Sequence, residues 1–354
     1  MARDIGIDLG TANVLIHLKG RGIVLNEPSL VAVDKRTQEV IAFGNEAYDM
    51  IGRTPESIEV IQPLKSGVID DFDLAEALLV LFFEKINSRT WFSRPNVLIC
   101  APSNVTEIEK LALIEAVEKA GGGQIFIEEE PKVAGVGAGI DLLSPKGSMV
   151  IDIGGGTCDI AIIAASEIVH SESLKLAGDD FDEAIIHYIK KKYNLLIGNR
   201  TAEQAKIKLA TAVELSESKM NYLDIKGRDM ITGLPKSINI NSNDIYHALY
   251  EQLQIIARTA KTVIEEAAPE MASDIMDKGI MMTGGGAMIY GVDNFLTQYL
   301  GVSVITAEQP MNCVAMGTGL MLEMIQNGQL QRINLTWKQK WERFVKRFKR
   351  RWLR

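Results

Sequence analysis

Two hydrophobic periods alternate along the chain. Short runs rich in Val, Ile and Leu, bounded by Gly, Asn and charged residues, predict buried strands. Longer stretches with apolar positions every three or four residues predict helices. Strand-like runs occupy residues 4–9, 14–18, 23–26 and 30–34, with a Gly-Arg-Gly turn at 20–22. They read as a meander opening a mixed sheet. Residues 35–66 are turn-rich and helix-poor, as in a small insertion. A helix is expected over 73–87, a buried strand over 96–100, and a helix over 106–120 ended by Gly121-Gly122-Gly123. A strand at 125–127 then meets a helix at 131–140 whose first position is Pro131. The second half restarts with a hairpin over 147–164 and a strand over 168–175. Helices follow at 181–193, 201–215 and 244–268, with a β segment at 224–240 and a strand at 280–283. Alternating strands and helices give an α/β fold. The halves open alike and differ in length, which suggests duplication with different insertions.

Two stretches share more than a period. One reads Ile5-Gly6-Ile7-Asp8-Leu9-Gly10-Thr11-Ala12-Asn13, the other Val150-Ile151-Asp152-Ile153-Gly154-Gly155-Gly156-Thr157-Cys158-Asp159. Each joins an apolar run, an Asp, and a Gly-rich turn with a Thr, and the two Asp lie 144 positions apart. Gly lets backbone N–H groups bend close around an anion, and the Thr hydroxyls add donors. Two such turns facing across a cleft would grip the phosphates of one nucleotide. A third Gly run, Gly284-Gly285-Gly286, follows the strand at 280–283. Asp8 and Asp152 are placed either to hold a hydrated Mg²⁺ or to cap their turns. Glu128-Glu129-Glu130-Pro131 joins a strand to a helix between the two turns. A carboxylate there could orient an attacking water, or simply suit a helix N-terminus. The chain has no GxxxxGK[ST] and no GxGxxG after its first strand, which excludes a P-loop and disfavours a dinucleotide fold.

Composition narrows the class. With 354 residues the chain can build two sizeable cores, and 47% hydrophobic with 24% charged residues is ordinary for a globular protein. Cys100, Cys158 and Cys313 are far apart, so neither a zinc site nor a disulfide framework is indicated, and a reducing cytosol fits. No signal peptide is expected before the first strand, and the apolar stretch 77–83 is too short to span a bilayer. The net charge of −8 hides an asymmetry: residues 332–354 hold ten Lys/Arg and one acid, leaving a body of 28 basic and 45 acidic residues. The basic end is therefore a local device.

That end has a pattern of its own. Thr336 with Gln339 forms a capping box, and Trp337, Trp341, Phe344, Val345, Phe348 and Trp352 then fall within an arc of about 100° on a helical wheel. Lys and Arg occupy most of the rest of the wheel. A basic face opposite Trp and Phe is the pattern of a helix lying on an anionic membrane. An acidic protein surface, including this chain's own body, and nucleic acid are the rivals, and the interleaved aromatics favour lipid over duplex nucleic acid. The loop Arg89-Thr90-Trp91-Phe92-Ser93-Arg94-Pro95 also carries an aromatic pair between basic residues. Trp91 and Phe92 are expected to meet a membrane or to fold into the local core.

Several of these motifs together resemble the MreB family of bacterial actin homologues. Gly-Ile-Asp-Leu-Gly-Thr-Ala-Asn, Gly22-Ile23-Val24-Leu25-Asn26-Glu27-Pro28-Ser29, Ile51-Gly52-Arg53-Thr54-Pro55 and Gly67-Val68-Ile69 carry the resemblance. So do Asp152 through Thr157, Ala177-Gly178-Asp179, residues 197–203, Thr232-Gly233-Leu234-Pro235 and Thr283 through Gly286. It runs from Arg3 to about Gly328, and sets the chain apart from sugar kinases and chaperone ATPases of the same superfamily.

The resemblance implies an actin-like two-lobed fold with four subdomains around a nucleotide cleft, plus the C-terminal amphipathic helix. Subdomain IA would take 1–32, 67–142 and 315–331; IB 33–66; IIA 143–179 and 245–314; IIB 180–244; and the basic tail 332–354. It implies ATP and Mg²⁺ as ligands. By position Glu130 matches the water-activating glutamate, Thr157 a hydroxyl near the γ-phosphate, and Asp8 and Asp152 the Mg²⁺-side aspartates, acting through water. Asp152 thus stands with Glu130 and Thr157 in the catalytic set, while Gly10, Thr11, Ala12, Asn13, Gly154, Gly155 and Gly156 join Thr157 in the phosphate turns. Gly178 and Asp179 match the nucleotide-floor turn, Glu203 and Lys206 the ribose and adenine contacts, and Gly284, Gly285 and Met288 the third loop.

Val14, Cys158-Asp159, Glu128 and Lys132 depart from the family pattern, and those beside Glu130 bear on its pKa and the hydrolysis rate. The chain has Met1-Ala2-Arg3 before its first strand, where many family members carry an amphipathic helix. The tail and the Trp91 loop are expected to share that anchoring role. A basic tail of this kind is similar to that of some paralogues from wall-less bacteria. The implied function is a cytoplasmic ATPase that polymerises with itself, as paired protofilaments, on the inner membrane face and contributes to cell shape. Paralogous actin-like proteins are further candidate partners; nucleic acid is not. A monomeric phosphotransferase and an ATP-binding scaffold with little turnover are the alternatives.

Overall fold

A computed structural model describes residues 4–86 and 94–330. The first half opens with an antiparallel meander of β1 (Ile5–Leu9), β2 (Asn13–Leu18) and β3 (Gly22–Pro28). β4 (Val31–Asp34), β5 (Val40–Phe43), α1 (Asn45–Met50) and β6 (Ile58–Ile61) make a small unit whose sheet runs β5-β4-β6. A short pair, β7 (Leu64–Lys65) and β8 (Val68–Ile69), returns the chain to the main body. There follow α2 (Phe72–Lys85), β9 (Val97–Ala101), α3 (Glu107–Ala120), β10 (Ile125–Glu129) and α4 (Glu130–Gly137). The second half runs β11 (Ser148–Ile153), β12 (Cys158–Ala164), β13 (Glu167–Leu174), α5 (Gly178–Tyr193), β14 (Leu195–Leu196) and α6 (Asn199–Leu209). It continues through β15 (Tyr222–Asp229), β16 (Pro235–Asn241), α7 (Ser242–Glu265), α8 (Pro269–Lys278), β17 (Ile280–Thr283), α9 (Val292–Leu300), β18 (Val304–Thr306) and α10 (Cys313–Gln326).

The two main sheets repeat one plan. Their orders are β10-β9-β1-β2-β3 and β13-β12-β11-β17-β18. In each, the first strand of a meander also pairs in parallel with a later strand, β1 with β9 and β11 with β17. These first strands lie where the sheet changes from antiparallel to parallel. The loop leaving such a strand opens a crevice at the carboxyl ends of the parallel strands, where ligands of open α/β sheets bind. Asp8 and Asp152 sit at the ends of these two strands.

Each sheet has its own core. Ile5, Ile7, Val14, Ile16, Phe82, Phe83, Val97 and Ile99 pack in the first lobe. Ile151, Ile153, Ile160, Phe181, Ile185, Leu249 and Leu253 pack in the second. A third cluster, with Leu98, Phe126, Val133, Val136, Val150, Val314 and Met321, joins the two where α4 crosses α10. The crossing is backbone on backbone: a Cβ at Gly137 would run into the Cys313 carbonyl, and one at Gly317 into the Val133 carbonyl. Two glycines thus let the helices between the lobes lie in direct contact.

Local signals explain most boundaries. α3 starts at a capping box of Thr106 and Glu109 and stops at Gly121, in the left-handed region at φ 114°. The expected helix over 201–215 stops at Leu209 instead. Ala210 turns extended, and the Ala212 N–H donates to the Tyr290 carbonyl at 2.8 Å, a tertiary bond that ends the helix. The expected helix over 244–268 is α7, which starts two residues earlier and ends at Glu265; a further helix that the periodicity does not give, α8, opens beyond it at Pro269.

Candidate functional site

The loops after β1 and β11 meet across the cleft between the lobes. A Cβ at Gly155 would lie 2.6 Å from the Ala12 Cβ, and one at Gly156 2.5 Å from the Thr11 Oγ1. Only residues without a side chain let the two turns approach this closely. Each turn is held from its own side. Ser29 Oγ donates to the Gly10 carbonyl at 2.6 Å, Gln62 Nε2 to the Thr11 carbonyl at 2.6 Å, and the Gly67 N–H to Thr11 Oγ1 at 2.9 Å. In the second turn the Gly178 and Asp179 N–H groups donate to the Gly154 and Gly155 carbonyls at 3.2 and 2.8 Å.

A cavity of about 380 Å³ opens beneath these turns. Its lining includes every residue expected in the nucleotide site: Asp8, Gly10, Thr11, Ala12, Asn13, Glu130, Asp152, Gly154, Gly155, Gly156, Thr157, Gly178, Asp179, Glu203, Lys206, Gly284, Gly285 and Met288. Gly284 adopts φ 80°, which brings the third loop over the end of β11. Lys206 Nζ donates to the Gly178 carbonyl and to Asp182, both at 2.7 Å, so it braces the floor turn from α6.

The charge in this cavity is lopsided. Six acids line it (Asp8, Glu130, Asp152, Asp179, Asp182 and Glu203) against the single basic residue Lys206. Burial disfavours the charged forms of Asp8, Glu130, Asp152, Asp179 and Asp182, and so does repulsion from neighbouring acids. Burial, then the Asp152 charge, pushes Asp8 up to about 8. Burial pushes Asp152 up to about 7 against a 2.6 Å hydrogen bond donated by Thr283. Glu130 lies well above the usual carboxylate range, through burial first and then the charges of Asp159, Asp152 and Asp8. Asp179 and Asp182 are raised to about 6, mainly by burial.

A family model described as "MreB/Mbl protein" matches residues 2–330. The chain belongs to the MreB/Mbl family. The cell shape-determining protein Mbl of Bacillus cereus is 54% identical over 92% of this chain and 97% of its own length. The cell shape-determining protein MreB of Escherichia coli is 42% identical over 92% of this chain and 94% of its own. Crystal structures of MreB5 of Spiroplasma citri, one bound to ADP and one to AMPPNP, superpose with a TM-score of 0.88 at 39% identity, covering 93% of this chain and 98% of theirs. The fold is the actin-like fold of that family.

Within this MreB/Mbl frame, the departures near Glu130 separate into two groups. Glu128 and Lys132 are buried and pair with each other at 3.6 Å, with Glu167 on β13 at 3.9 Å from the same amine. They link the end of β10 to the other lobe and do not figure among the charges acting on Glu130. Asp159 does: it is 1% exposed, and its charge ranks directly after burial in raising Glu130. Sequence reasoning missed Asp182 and Thr283. Asp182 lies one helical turn after Asp179 on α5, a spacing that could have flagged it. Thr283 is drawn to Asp152 by the parallel pairing of β11 with β17, which periodicity does not reveal. The expected membrane residues Trp91, Phe92, Trp337, Trp341, Phe344, Phe348 and Trp352 lie outside the described residues. No helix among the described residues is long and apolar enough to cross a membrane.

Proposed function

We propose that the chain is a cytoskeletal ATPase that binds Mg-ATP in this cleft, polymerises, and works in determining cell shape. The observation that carries the reading is the pair of Gly turns facing each other at contact distance over a cavity lined by the whole expected nucleotide set. The ADP- and AMPPNP-bound MreB5 structures and the shape-determining Mbl and MreB relatives support it.

Mg²⁺ fits these residues. A cavity with six acids and one lysine is hostile to a polyphosphate alone. A hydrated dication relieves both the carboxylate repulsion and the phosphate charge. Among the described residues no cluster of three or more His, Cys, Asp or Glu could hold a metal by itself, so the cation would enter with the nucleotide. Asp8 and Asp152 would hold its water shell, and the ion would supply charge neutralisation at the phosphates.

The chain's own groups divide the rest. N–H groups of residues 10–13 and 155–157 would bind the β- and γ-phosphates, with the Thr157 hydroxyl toward the terminal one, while the Gly154 N–H closes the turn on the Thr157 carbonyl at 2.9 Å. Glu130 opens α4 and lines the cavity, in reach of that end. Burial and the neighbouring acids raise its pKa, which makes its carboxylate a stronger base toward the attacking water. Glu203 and Lys206 on α6 would meet the ribose and base, with Gly284, Gly285 and Met288 opposite. The division into subdomains IA, IB, IIA and IIB belongs to this proposal. So do slow turnover coupled to filament disassembly, self-assembly as paired protofilaments, and association with paralogues. The family relation disfavours a monomeric phosphotransferase.

Membrane anchoring by the basic tail and the Trp91 loop completes the proposal, on the inner face of the cell membrane. Filaments make weak lipid contacts additive, so a modest tail would bind firmly once polymerised. Removal of residues 332–354 is expected to weaken co-sedimentation with anionic vesicles; binding undiminished by the removal would exclude the tail. Calorimetric titration with ADP tests the site itself. Binding with Mg²⁺ and its weakening by EDTA are expected, and a folded protein that binds neither ADP nor AMPPNP contradicts the reading.

A further inference from the structure

The mouth of the cleft is bridged by three contacts between α1 in the first lobe and α6 in the second. Tyr48 Oη donates to Glu203 Oε2 at 2.5 Å. Arg200 Nη2 donates to Asp49 Oδ1 at 3.2 Å. The Arg200 guanidinium also lies over the Tyr48 ring, 4.9 Å from its centroid. Partners 151 and 155 positions apart in sequence are thereby joined within one turn of each helix. Tyr48 and Arg200 are part-buried, and Arg200 Nη1 is buried without a hydrogen-bond partner. A guanidinium stacked on a ring and bonded through one nitrogen to a carboxylate is oriented in a way a lysine is not.

Glu203 is the common element. It lines the nucleotide cavity and also a second, outer cavity of about 420 Å³ bordered by Tyr48, Arg200, Lys65 and Lys175. Its carboxylate therefore stands in the wall between the site and the exterior. A carboxylate has two oxygens and about four lone-pair sites. Tyr48 uses Oε2 and leaves Oε1 for a sugar hydroxyl.

We propose that Tyr48, with Arg200 and Asp49, is a latch across the cleft that shares Glu203 with the ribose, so that a closed latch retains the nucleotide. This rests on the nucleotide reading of the cavity and adds a residue that controls its exchange. A bound ribose fixes the Glu203 rotamer and so reduces the entropy lost when Tyr48 bonds to it. The latch in turn places the Tyr48 ring and the Arg200 guanidinium between the nucleotide and solvent. Ligand and latch strengthen each other by the same factor, as linkage requires. Tyr48 remains a donor throughout the physiological range, because burial and the Glu203 hydrogen bond push its hydroxyl up to about 12.

The test is the dissociation rate of a fluorescent ADP from the full chain with Mg²⁺, chased by unlabelled ADP in a stopped-flow instrument. Tyr48→Phe deletes one hydroxyl and is expected to release the nucleotide about tenfold faster, the effect of one hydrogen bond to a charged group. Arg200→Lys keeps the charge, loses the planar guanidinium and its stacking on Tyr48, and is expected to release it several-fold faster. Tyr193→Phe removes a hydroxyl that is bonded to Asp244 instead, and is expected to leave the rate unchanged. In a Glu203→Gln background the effect of Tyr48→Phe is expected to shrink, which a merely structural tyrosine would not show. A wild-type rate in both Tyr48→Phe and Arg200→Lys overturns the latch and leaves the nucleotide site standing. A wild-type protein that binds no ADP removes the site and the latch together.

Discussion

Asp8 stands opposite Leu15 in the ladder of the first lobe, while Asp152 stands opposite Asp159 in the second. Both partners lie seven residues after their aspartate, on the second strand of the meander. The two lobes thus share a sheet plan and a phosphate turn but differ at an equivalent position. The first turn is tied down by the side chains of Ser29 and Gln62 together with the backbone N–H groups of Ser29 and Gly67. The second is tied by backbone bonds from Gly178 and Asp179, and carries an extra buried acid aimed electrostatically at Glu130. On the proposed reading the first lobe would supply a fixed phosphate grip, and the second the groups that tune the chemistry.

The largest effect expected from breaking that division falls on Glu130, which sits between the two halves. Glu130→Gln should lower single-turnover phosphate release by about 10²- to 10⁴-fold while Mg-ADP affinity stays near the wild-type value. Unchanged release would move the base elsewhere. Next comes the contact between the turns. Gly155→Val drives a side chain into Ala12, so nucleotide affinity should fall at least tenfold by titration and melting temperature should fall with it. Gly154→Ala, whose Cβ meets only the Thr157 carbonyl at 3.3 Å, should change both little. The smallest effect sharpens the asymmetry itself. Asp159→Asn removes the charge that, after burial, most raises Glu130. The pKa of Glu130 should fall, leaving the base ionised at lower pH, so the rising limb of the pH–rate profile should shift to lower pH. A profile that does not move would assign the raised pKa of Glu130 to burial and the charges of Asp152 and Asp8.

Much of this comparison was legible in the chain itself. β1, β2, β11 and β12 follow from β-branched runs closed by Gly turns, and α3 from Thr106 and Gly121, because those signals are local. The residues of the cleft were legible as motifs, and all of the expected nucleotide set lines one cavity. What stayed hidden depends on tertiary contact. α10 reads Cys-Val-Ala-Met-Gly-Thr-Gly-Leu, a poor helix by propensity, and Gly317 makes sense only against α4 and Gly319 only against His17 of β2. Ala212, Val213 and Leu215 continue the apolar period of α6, yet the backbone there bonds to Tyr290. Tyr48 carried no signal at all, since its partner is 155 positions away.

The central claim is that nucleotide in this cleft drives assembly. High-speed sedimentation of the purified full chain, with and without Mg-ATP and with electron microscopy of the pellet, tests it most directly. The account predicts filaments that pellet with Mg-ATP and stay in the supernatant without it. A protein that binds Mg-ATP yet remains monomeric in both conditions, at every concentration tried and with anionic vesicles present, would contradict it.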